Sequence, residues 1–126
     1  MNHYNTVKGL ILYKDKYLIL EKEDFIGGKY EVPWGRKEYG ETDKEALKRE
    51  IYEEVGLEVE IQKLLNEWSL DLKEKGILLD GKTYLCESNS DNVVLSDEHF
   101  NYKWIERKEL EKLDCPNWLK DAIFKL

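Results

Sequence analysis

The chain has 126 residues, a length that favours a single domain over residues 1–126. Hydrophobic residues make up 41% of the sequence, enough to fill a core, which excludes an intrinsically disordered protein. The net charge of −7 at pH 7 disfavours nucleic acid as a stable partner, because nucleic-acid binders usually carry a basic surplus.

No segment of the sequence predicts a membrane protein or an exported one. The longest apolar runs, such as Leu10–Tyr13, are far shorter than the roughly 20 residues of a membrane-spanning helix. No signal-peptide pattern is present. Cys86 and Cys115 stand alone, which disfavours a disulfide framework or a zinc site. We therefore expect a cytoplasmic protein with no membrane partner.

The first part of the chain is typical of short strands. Thr6–Tyr13 and Tyr17–Glu21 are apolar and rich in β-formers, and the three polar residues between them indicate a hairpin. Phe25–Gly28 is expected to be a loop. Tyr30–Val32 is expected to be extended, because the residue before Pro33 avoids the helical region.

A helix is predicted over Asp43–Val55. Thr42 and Glu45 have the spacing of a capping box at its start. Apolar residues then recur every four positions, and Gly56 stands where a helix commonly ends.

Several strands and two closing helices are predicted after this helix. Leu57–Ile61 alternates as a strand should. The dipeptide Asp80-Gly81 predicts a tight turn between strands at Gly76–Leu79 and Lys82–Glu87. The remaining predicted elements are a loop at Asn89–Asp97, a strand at Tyr102–Ile105, a short helix at Lys108–Leu113 and a final helix opened by Pro116. This order predicts an α+β protein with a mixed sheet.

Three carboxylates share one sector of the predicted helix. Glu50, Glu53 and Glu54 are spaced i, i+3 and i+4, and like charges at this spacing destabilise a helix by about 0.2–0.5 kcal/mol per pair. A divalent cation such as Mg²⁺ would reverse that balance, because hard cations prefer carboxylate oxygens. The alternative is an ordinary solvated face, since Glu is a good helix former.

A longer pattern surrounds these carboxylates. Gly35 is followed after five residues by Glu41, and after seven more by Arg49-Glu50. The whole spacing G-x5-E-x7-R-E-U-x-E-E-x-G-U, in which U is apolar, is met at every specified position up to Leu57. This segment resembles the Nudix box, and the chain is similar to Nudix hydrolases.

The resemblance implies an α/β/α sandwich and hydrolysis, dependent on Mg²⁺ or Mn²⁺, of a nucleoside diphosphate linked to another group. Glu50 and Glu54 are similar to metal ligands, and Glu53 to the carboxylate that binds metal or helps to activate water. Arg49 joins the catalytic set by holding these carboxylates through charge-assisted hydrogen bonds. The residues that would shape the loop, the metal shell and the helix end are Gly35, Glu41 and Gly56. A solvated role is the alternative for Glu41.

Two further residues are assigned by the resemblance. The usual Pro-Gly-Gly before the box is Pro33-Trp34-Gly35 here, and Trp34 would still offer its backbone carbonyl to a metal and border the substrate cleft. A positive φ at this position would strain the tryptophan. Glu98, six residues before Trp104, resembles a metal ligand or catalytic base of MutT-type members, and a solvated loop acid is the alternative.

Substrate signatures outside the box favour a (d)NTP. The patterns of ADP-ribose, NADH and coenzyme A hydrolases are absent, so the chain is most similar to compact MutT-type enzymes that convert (d)NTP to (d)NMP and pyrophosphate. Pro116-Asn117 resembles their base-reading Pro-x-Asn, although Asn117 would serve equally as a helix N-cap. Aromatic residues that could stack on a base, or belong to the core, are Tyr30, Trp34, Trp68, Tyr84 and Phe100.

Other functions remain open at this point. ADP-ribose or dinucleotide polyphosphate hydrolysis is the nearest alternative. A non-catalytic nucleotide sensor belongs to a different class and is disfavoured by the intact carboxylates. Removal of pyrophosphate from RNA 5′ ends is disfavoured by the acidic net charge. The expected partner is a small nucleotide, bound by a monomer or a homodimer.

Overall fold

The computed structural model describes residues 2–21, 29–97 and 101–126, in which seven strands form one sheet with three α-helices. The strands are β1 (Asn2–Tyr13), β2 (Lys16–Glu21), β3 (Tyr30–Glu31), β4 (Trp34–Arg36), β5 (Val59–Leu72), β6 (Ile77–Ser88) and β7 (Asn101–Glu106). The helices are α1 (Asp43–Val55), α2 (Arg107–Glu111) and α3 (Asn117–Phe124). In these ranges no helix is both long and apolar enough to cross a bilayer.

The sheet is mixed, as predicted. Its order is β3-β2-β1-β6-β5, with β4 also paired to β1 and β7 to β2. The central strands β1 and β6 run parallel, and the other pairs are antiparallel. The hairpin predicted between the first two strands is confirmed by the pairing of Leu12 with Tyr17.

Helices cover both faces of the sheet, which confirms the α/β/α sandwich. Val7 and Ile11 of β1 belong to the core cluster under α1, whereas Leu10 belongs to the cluster under α2 and α3. Because successive side chains of a strand point to opposite faces, one central strand supplies both cores.

The helix α1 begins and ends where its sequence predicts. The Thr42 hydroxyl oxygen accepts a hydrogen bond from the Glu45 backbone N–H at 3.1 Å, and the Thr42 N–H donates to the Glu45 carboxylate at 3.0 Å. At the other end Gly56 has a φ of 69°, and its N–H donates to the Tyr52 carbonyl at 2.9 Å. The capping box and the glycine therefore fix the register of the acidic residues between them.

The tight turn predicted at Asp80-Gly81 is wrong. Both residues lie inside β6, and the chain reverses earlier, at the 3₁₀ turn Lys73–Lys75 and Gly76, whose φ is 65°. A Cβ at Gly81 would lie 2.0 Å from Cζ2 of Trp68, on the neighbouring strand β5. Glycine is therefore needed here for close packing of an indole rather than for a turn.

Other boundaries differ in smaller ways. The strand predicted to end at Ile61 continues to Leu72, and the short helix predicted at Lys108–Leu113 is Arg107–Glu111. The alternative role of Asn117 as an N-cap is wrong, because Pro116 occupies the N-cap and Asn117 is the first helical residue. The loop predicted at 25–28 lies outside the described residues.

Candidate active site

Arg49, in the middle of α1, organises the acidic side chains around it. Its Nε and Nη2 donate to the two carboxylate oxygens of Glu41 at 2.8 and 2.9 Å. Its Nη1 donates to Glu50 at 2.8 Å and to Glu53 at 3.3 Å, and Nη2 also donates to the Arg36 carbonyl at 3.1 Å. A planar guanidinium with several fixed donors thus holds three carboxylates in one arrangement.

These contacts and burial shift the pKa values of the cluster in opposite directions. Hydrogen bonds from Arg49, and then from the Glu38 backbone N–H, lower the pKa of Glu41 to about 2. The pKa of Arg49 is raised, chiefly by its hydrogen bonds to Glu41. The pKa of Glu50 is raised because burial of its carboxylate outweighs the hydrogen bond from Arg49. Burial therefore disfavours the charged form of the Glu50 carboxyl by more than the contact with Arg49 favours it.

Gly35 allows Glu50 to lie directly against β4. A Cβ at Gly35 would be 1.9 Å from Cδ of Glu50 and 2.3 Å from its Oε2. The φ of Gly35 is outside the left-handed region, so space for the carboxylate, rather than an unusual backbone angle, requires glycine at this position.

Glu54 joins the helix to Trp34, the residue just before the box. Glu54 is 5% exposed, and its Oε2 accepts a hydrogen bond from the Trp34 backbone N–H at 2.9 Å. Trp34 lies in β4, opposite Lys8 of β1. Among the described residues other than glycine only Lys14 has a positive φ, so the strain considered for Trp34 is absent.

The segment after β6 covers the C-terminal end of α1. The Val94 N–H donates to the Val55 carbonyl and the Ser96 N–H to the Glu54 carbonyl, both at 2.9 Å. These bonds satisfy carbonyls that a helix end otherwise leaves unpaired. Glu98 lies outside the described residues, so its proposed role as a ligand or base stays a prediction.

The acidic cluster suits a hard divalent cation in its chemistry. Glu50, Glu53 and Glu54 supply only oxygen donors, which Mg²⁺ and Mn²⁺ prefer. Within residues 2–21, 29–97 and 101–126, no three acidic, histidine or cysteine side chains converge into a ready metal-binding group. Glu50 is held by Arg49 and Glu54 by the backbone of Trp34. The oxygen donors and the negative charge of these three side chains therefore fit a divalent metal. On binding, the metal would replace the contacts of Glu50 with Arg49 and of Glu54 with the Trp34 backbone.

A cavity of about 600 Å³ has Trp34 in its wall. Trp68 and Trp118 form a stacked pair with ring centroids 5.6 Å apart. Nζ of Lys8 lies 3.2, 4.8 and 5.2 Å from the ring centroids of Trp118, Trp68 and Trp34, respectively. The same nitrogen is 3.8 Å from Oε2 of Glu31. Three indole rings therefore lie within cation–π distance of one buried cation.

The structure brings together some of the residues predicted to bind substrate. Trp34, Trp68 and Asn117 all line this cavity. Tyr84 lies elsewhere, with its hydroxyl donating to Asp43 at 3.1 Å. Phe100 lies outside the described residues.

The sequence predictions missed Lys8, Glu31 and Trp118. One signal was available, because Lys8 interrupts an otherwise apolar strand and a lysine buried there requires a partner. The partner itself, Glu31, is supplied by a different strand and could not be identified from spacing.

Comparison with known proteins decides the family. The NUDIX domain matches residues 3–126. The chain belongs to the Nudix hydrolase family. This confirms the resemblance found in the sequence and identifies the protein as a hydrolase.

Relatives and solved structures agree with this assignment. This Nudix hydrolase is 35% identical over 98 residues to nucleoside triphosphatase NudI of Enterobacter sp. (strain 638), covering 69% of this chain and 68% of that protein. It is 27% identical over 93 residues to the chloroplastic Nudix hydrolase 21 of Arabidopsis thaliana, covering 73% and 47% of the two chains. The fold matches a MutT Nudix hydrolase from Burkholderia pseudomallei with a TM-score of 0.80 at 19% identity, covering 100% and 99%. It matches a C. elegans Ap4A hydrolase complex with a TM-score of 0.80 at 23% identity, covering 97% and 93%.

Proposed function

We propose that this Nudix hydrolase is a Mg²⁺- or Mn²⁺-dependent pyrophosphohydrolase that converts a (d)NTP to (d)NMP and pyrophosphate. The observation that carries the proposal is the link between the acidic cluster and the aromatic cavity through Trp34. Its backbone N–H donates to Glu54, and its side chain lines the cavity. A nucleotide has a flat base and a polyphosphate, so it can occupy both regions at once. The activity in the name of the relative NudI, a nucleoside triphosphatase, supports the same substrate class.

The acidic residues of the helix supply the metal ligands and the general base in this proposal. Glu50, Glu54 and the Trp34 carbonyl would hold the metal, and Glu53 would either add a ligand or accept the proton of the attacking water. Glu53 suits that second part because its side chain is 57% exposed, whereas that of Glu50 is 16% exposed. Arg49 keeps the carboxylates in position. When bound, the divalent ion neutralises the polyphosphate and polarises the water.

The remaining residues support this site. Glu98 is proposed as a further ligand or base, and Asn117 as a group that reads the base edge. Gly35 provides the space for Glu50, Glu41 anchors Arg49, and Gly56 ends the helix.

The proposed partner is a free nucleotide rather than a nucleic acid, which the net charge of −7 supports. We place the reaction in the cytoplasm, carried out by a monomer or a homodimer. In support, Cys86 and Cys115 are both buried and form no disulfide.

Product analysis tests the proposal. The purified protein is incubated with Mg²⁺ and, in separate reactions, (d)NTPs, oxidised guanine nucleotides, ADP-ribose, nucleotide sugars and diadenosine polyphosphates. Monophosphate and pyrophosphate from a triphosphate are the expected products. AMP and ribose phosphate formed from ADP-ribose, with no cleavage of triphosphates, would contradict the substrate class. Tight nucleotide binding without turnover of any compound would contradict the catalytic role and favour a sensor.

A further inference from the structure

We infer that Lys8 determines base specificity: its buried ammonium group donates a hydrogen bond to a carbonyl oxygen of the nucleobase, so the site prefers bases with a carbonyl over adenine. This inference rests on the proposed function, because it requires a nucleotide whose base enters the aromatic cavity.

Lys8 is buried at an unusual place for a lysine. It is 5% exposed, in the middle of the central strand β1. Its ion-pair partner Glu31 is 7% exposed, and the other oxygen of that carboxylate accepts a hydrogen bond from the Val32 N–H at 3.0 Å. The carboxylate is thus held by the backbone, and its second oxygen lies 3.8 Å from the ammonium nitrogen as an ion-pair partner. A lysine is rarely buried to this extent without such a partner.

The indoles alone cannot select a base. Trp34, Trp68 and Trp118 offer flat apolar faces, and stacking on such faces tolerates every base because each base has a π-face. Selection therefore requires a polar group whose partner differs between bases. Lys8 and Glu31 are the buried charged residues among those that line the cavity.

Other polar residues of the wall are less suited to this task. The exposed polar residues of the wall are Ser69, Asp114, Asn117 and Lys120, so water competes for their hydrogen bonds. Asn117 also carries both a donor and an acceptor, so it can adapt to bases of either kind.

The chemistry of an ammonium group gives the direction of the preference. An ammonium only donates, and its hydrogen bond to a carbonyl oxygen is charge-assisted. Guanine, hypoxanthine, cytosine, uracil and thymine carry such an oxygen. Adenine carries an amino group and ring nitrogens, so it offers a buried ammonium weaker acceptors and a competing donor. We therefore expect weaker binding of adenine rather than complete exclusion.

Inosine and adenosine form a matched pair of probes, since both are purine nucleosides that stack alike and lack phosphate. Binding is followed by tryptophan fluorescence in the presence of a metal chelator, because three of the four tryptophans line the cavity. The unmodified enzyme is expected to bind inosine about tenfold more tightly than adenosine. Lys8→Met is expected to remove that preference by weakening the binding of inosine while leaving the binding of adenosine unchanged. Lys63→Met, at an exposed lysine of β5, is the control for the substitution.

Any one of three results would overturn the inference. First, the unmodified enzyme binds inosine no more tightly than adenosine, or binds neither nucleoside; this result counts even if Lys8→Met does not fold. Second, Lys8→Met weakens the binding of both nucleosides equally, or the binding of neither. Third, when IMP and AMP are measured in the same way, Lys8→Met weakens the binding of these two monophosphates and not of the nucleosides, which would place Lys8 at the phosphate.

The proposed function is tested separately by hydrolysis with Mg²⁺. If nucleotides are hydrolysed but inosine is not bound more tightly than adenosine, this inference alone is contradicted. If inosine is bound more tightly but no nucleotide is hydrolysed, the proposed function alone is contradicted.

Discussion

The carboxyl carbon of Glu50 lies 1.9 Å from the position that a Cβ of Gly35 would occupy. On its other side the same carboxylate accepts a hydrogen bond from Arg49 at 2.8 Å. Glu50 is therefore confined between Gly35, which has no side chain, and a guanidinium that has several other partners. This contact brings the acidic sector of α1 against β4.

Gly35→Ala is expected to lower the rate of nucleotide hydrolysis at least about 100-fold, because the new methyl group must displace Glu50 and small misplacements of a catalytic group have effects of this size. The measurement is kcat with Mg²⁺. Gly76→Ala is the control, since nothing lies within 4 Å of its new Cβ and its φ of 65° makes the substitution strained. The control should lose stability by about 1 kcal/mol while keeping full activity. Wild-type kcat in Gly35→Ala would contradict the account of this contact.

Glu53→Gln is expected to lower kcat by at least about 10², the size expected when a general base or ligand is lost. The fold should remain intact, because this side chain is 57% exposed and contacts Arg49 at 3.3 Å. Kinetics and the melting temperature are measured on the same preparation, with the exposed Glu60→Gln as the matched control. Turnover close to wild type in Glu53→Gln would refute its assignment.

Arg49→Lys keeps the charge but removes the planar donor set that holds Glu41 and Glu50. We expect the free energy of unfolding to fall by about 1–2 kcal/mol. Turnover should fall about 10–100-fold, as for other residues that orient metal ligands. Urea unfolding and kcat are the measurements. Arg107→Lys is the control, because this exposed arginine donates to the exposed Glu111 at 3.2 Å, and such a surface pair should change stability by less than about 0.5 kcal/mol. Equal effects in the two variants would contradict the organising role of Arg49.

The pKa of Glu41 gives a prediction for acid stability. A carboxylate whose pKa falls from 4.5 to about 2 on folding stabilises the folded state above pH 4.5, and this contribution is lost as the pH falls towards 2. The difference in unfolding free energy between wild type and Glu41→Gln should therefore be constant above about pH 5 and shrink at lower pH. Urea unfolding across this range is the measurement. A difference that does not change with pH would show that Arg49 does not lower the pKa of Glu41.

Elements encoded by local spacing could be predicted from the sequence, and those created by distant contacts could not. The helix α1 was predicted at its observed bounds, because Thr42, Glu45 and Gly56 act within a few residues of its ends. The turn at Asp80-Gly81 was wrong because the requirement for Gly81 comes from Trp68 on another strand. A glycine selected for packing looks the same in the sequence as a glycine selected for a turn.

The candidate site divides in the same way. The carboxylates around Arg49 belong to one continuous sequence motif, and the structure brings Glu41, Glu50 and Glu53 to this arginine. The cavity, in contrast, assembles residues from strands and helices far apart in the chain, and Lys8 with Glu31 has no local pattern. Only the sheet topology brings them together.

The coupling between metal and nucleotide binding tests most directly whether the acidic cluster and the aromatic cavity form one site. An α,β-methylene triphosphate cannot be cleaved between the α and β phosphorus atoms, and tryptophan fluorescence reports its entry into the cavity. We expect Mg²⁺ to tighten its binding at least about tenfold in the wild type and to have little effect in the Glu50→Gln/Glu54→Gln variant. The exposed pair Glu58→Gln/Glu60→Gln should behave as the wild type. Equal affinity with and without Mg²⁺ in the wild-type enzyme would contradict a shared nucleotide site.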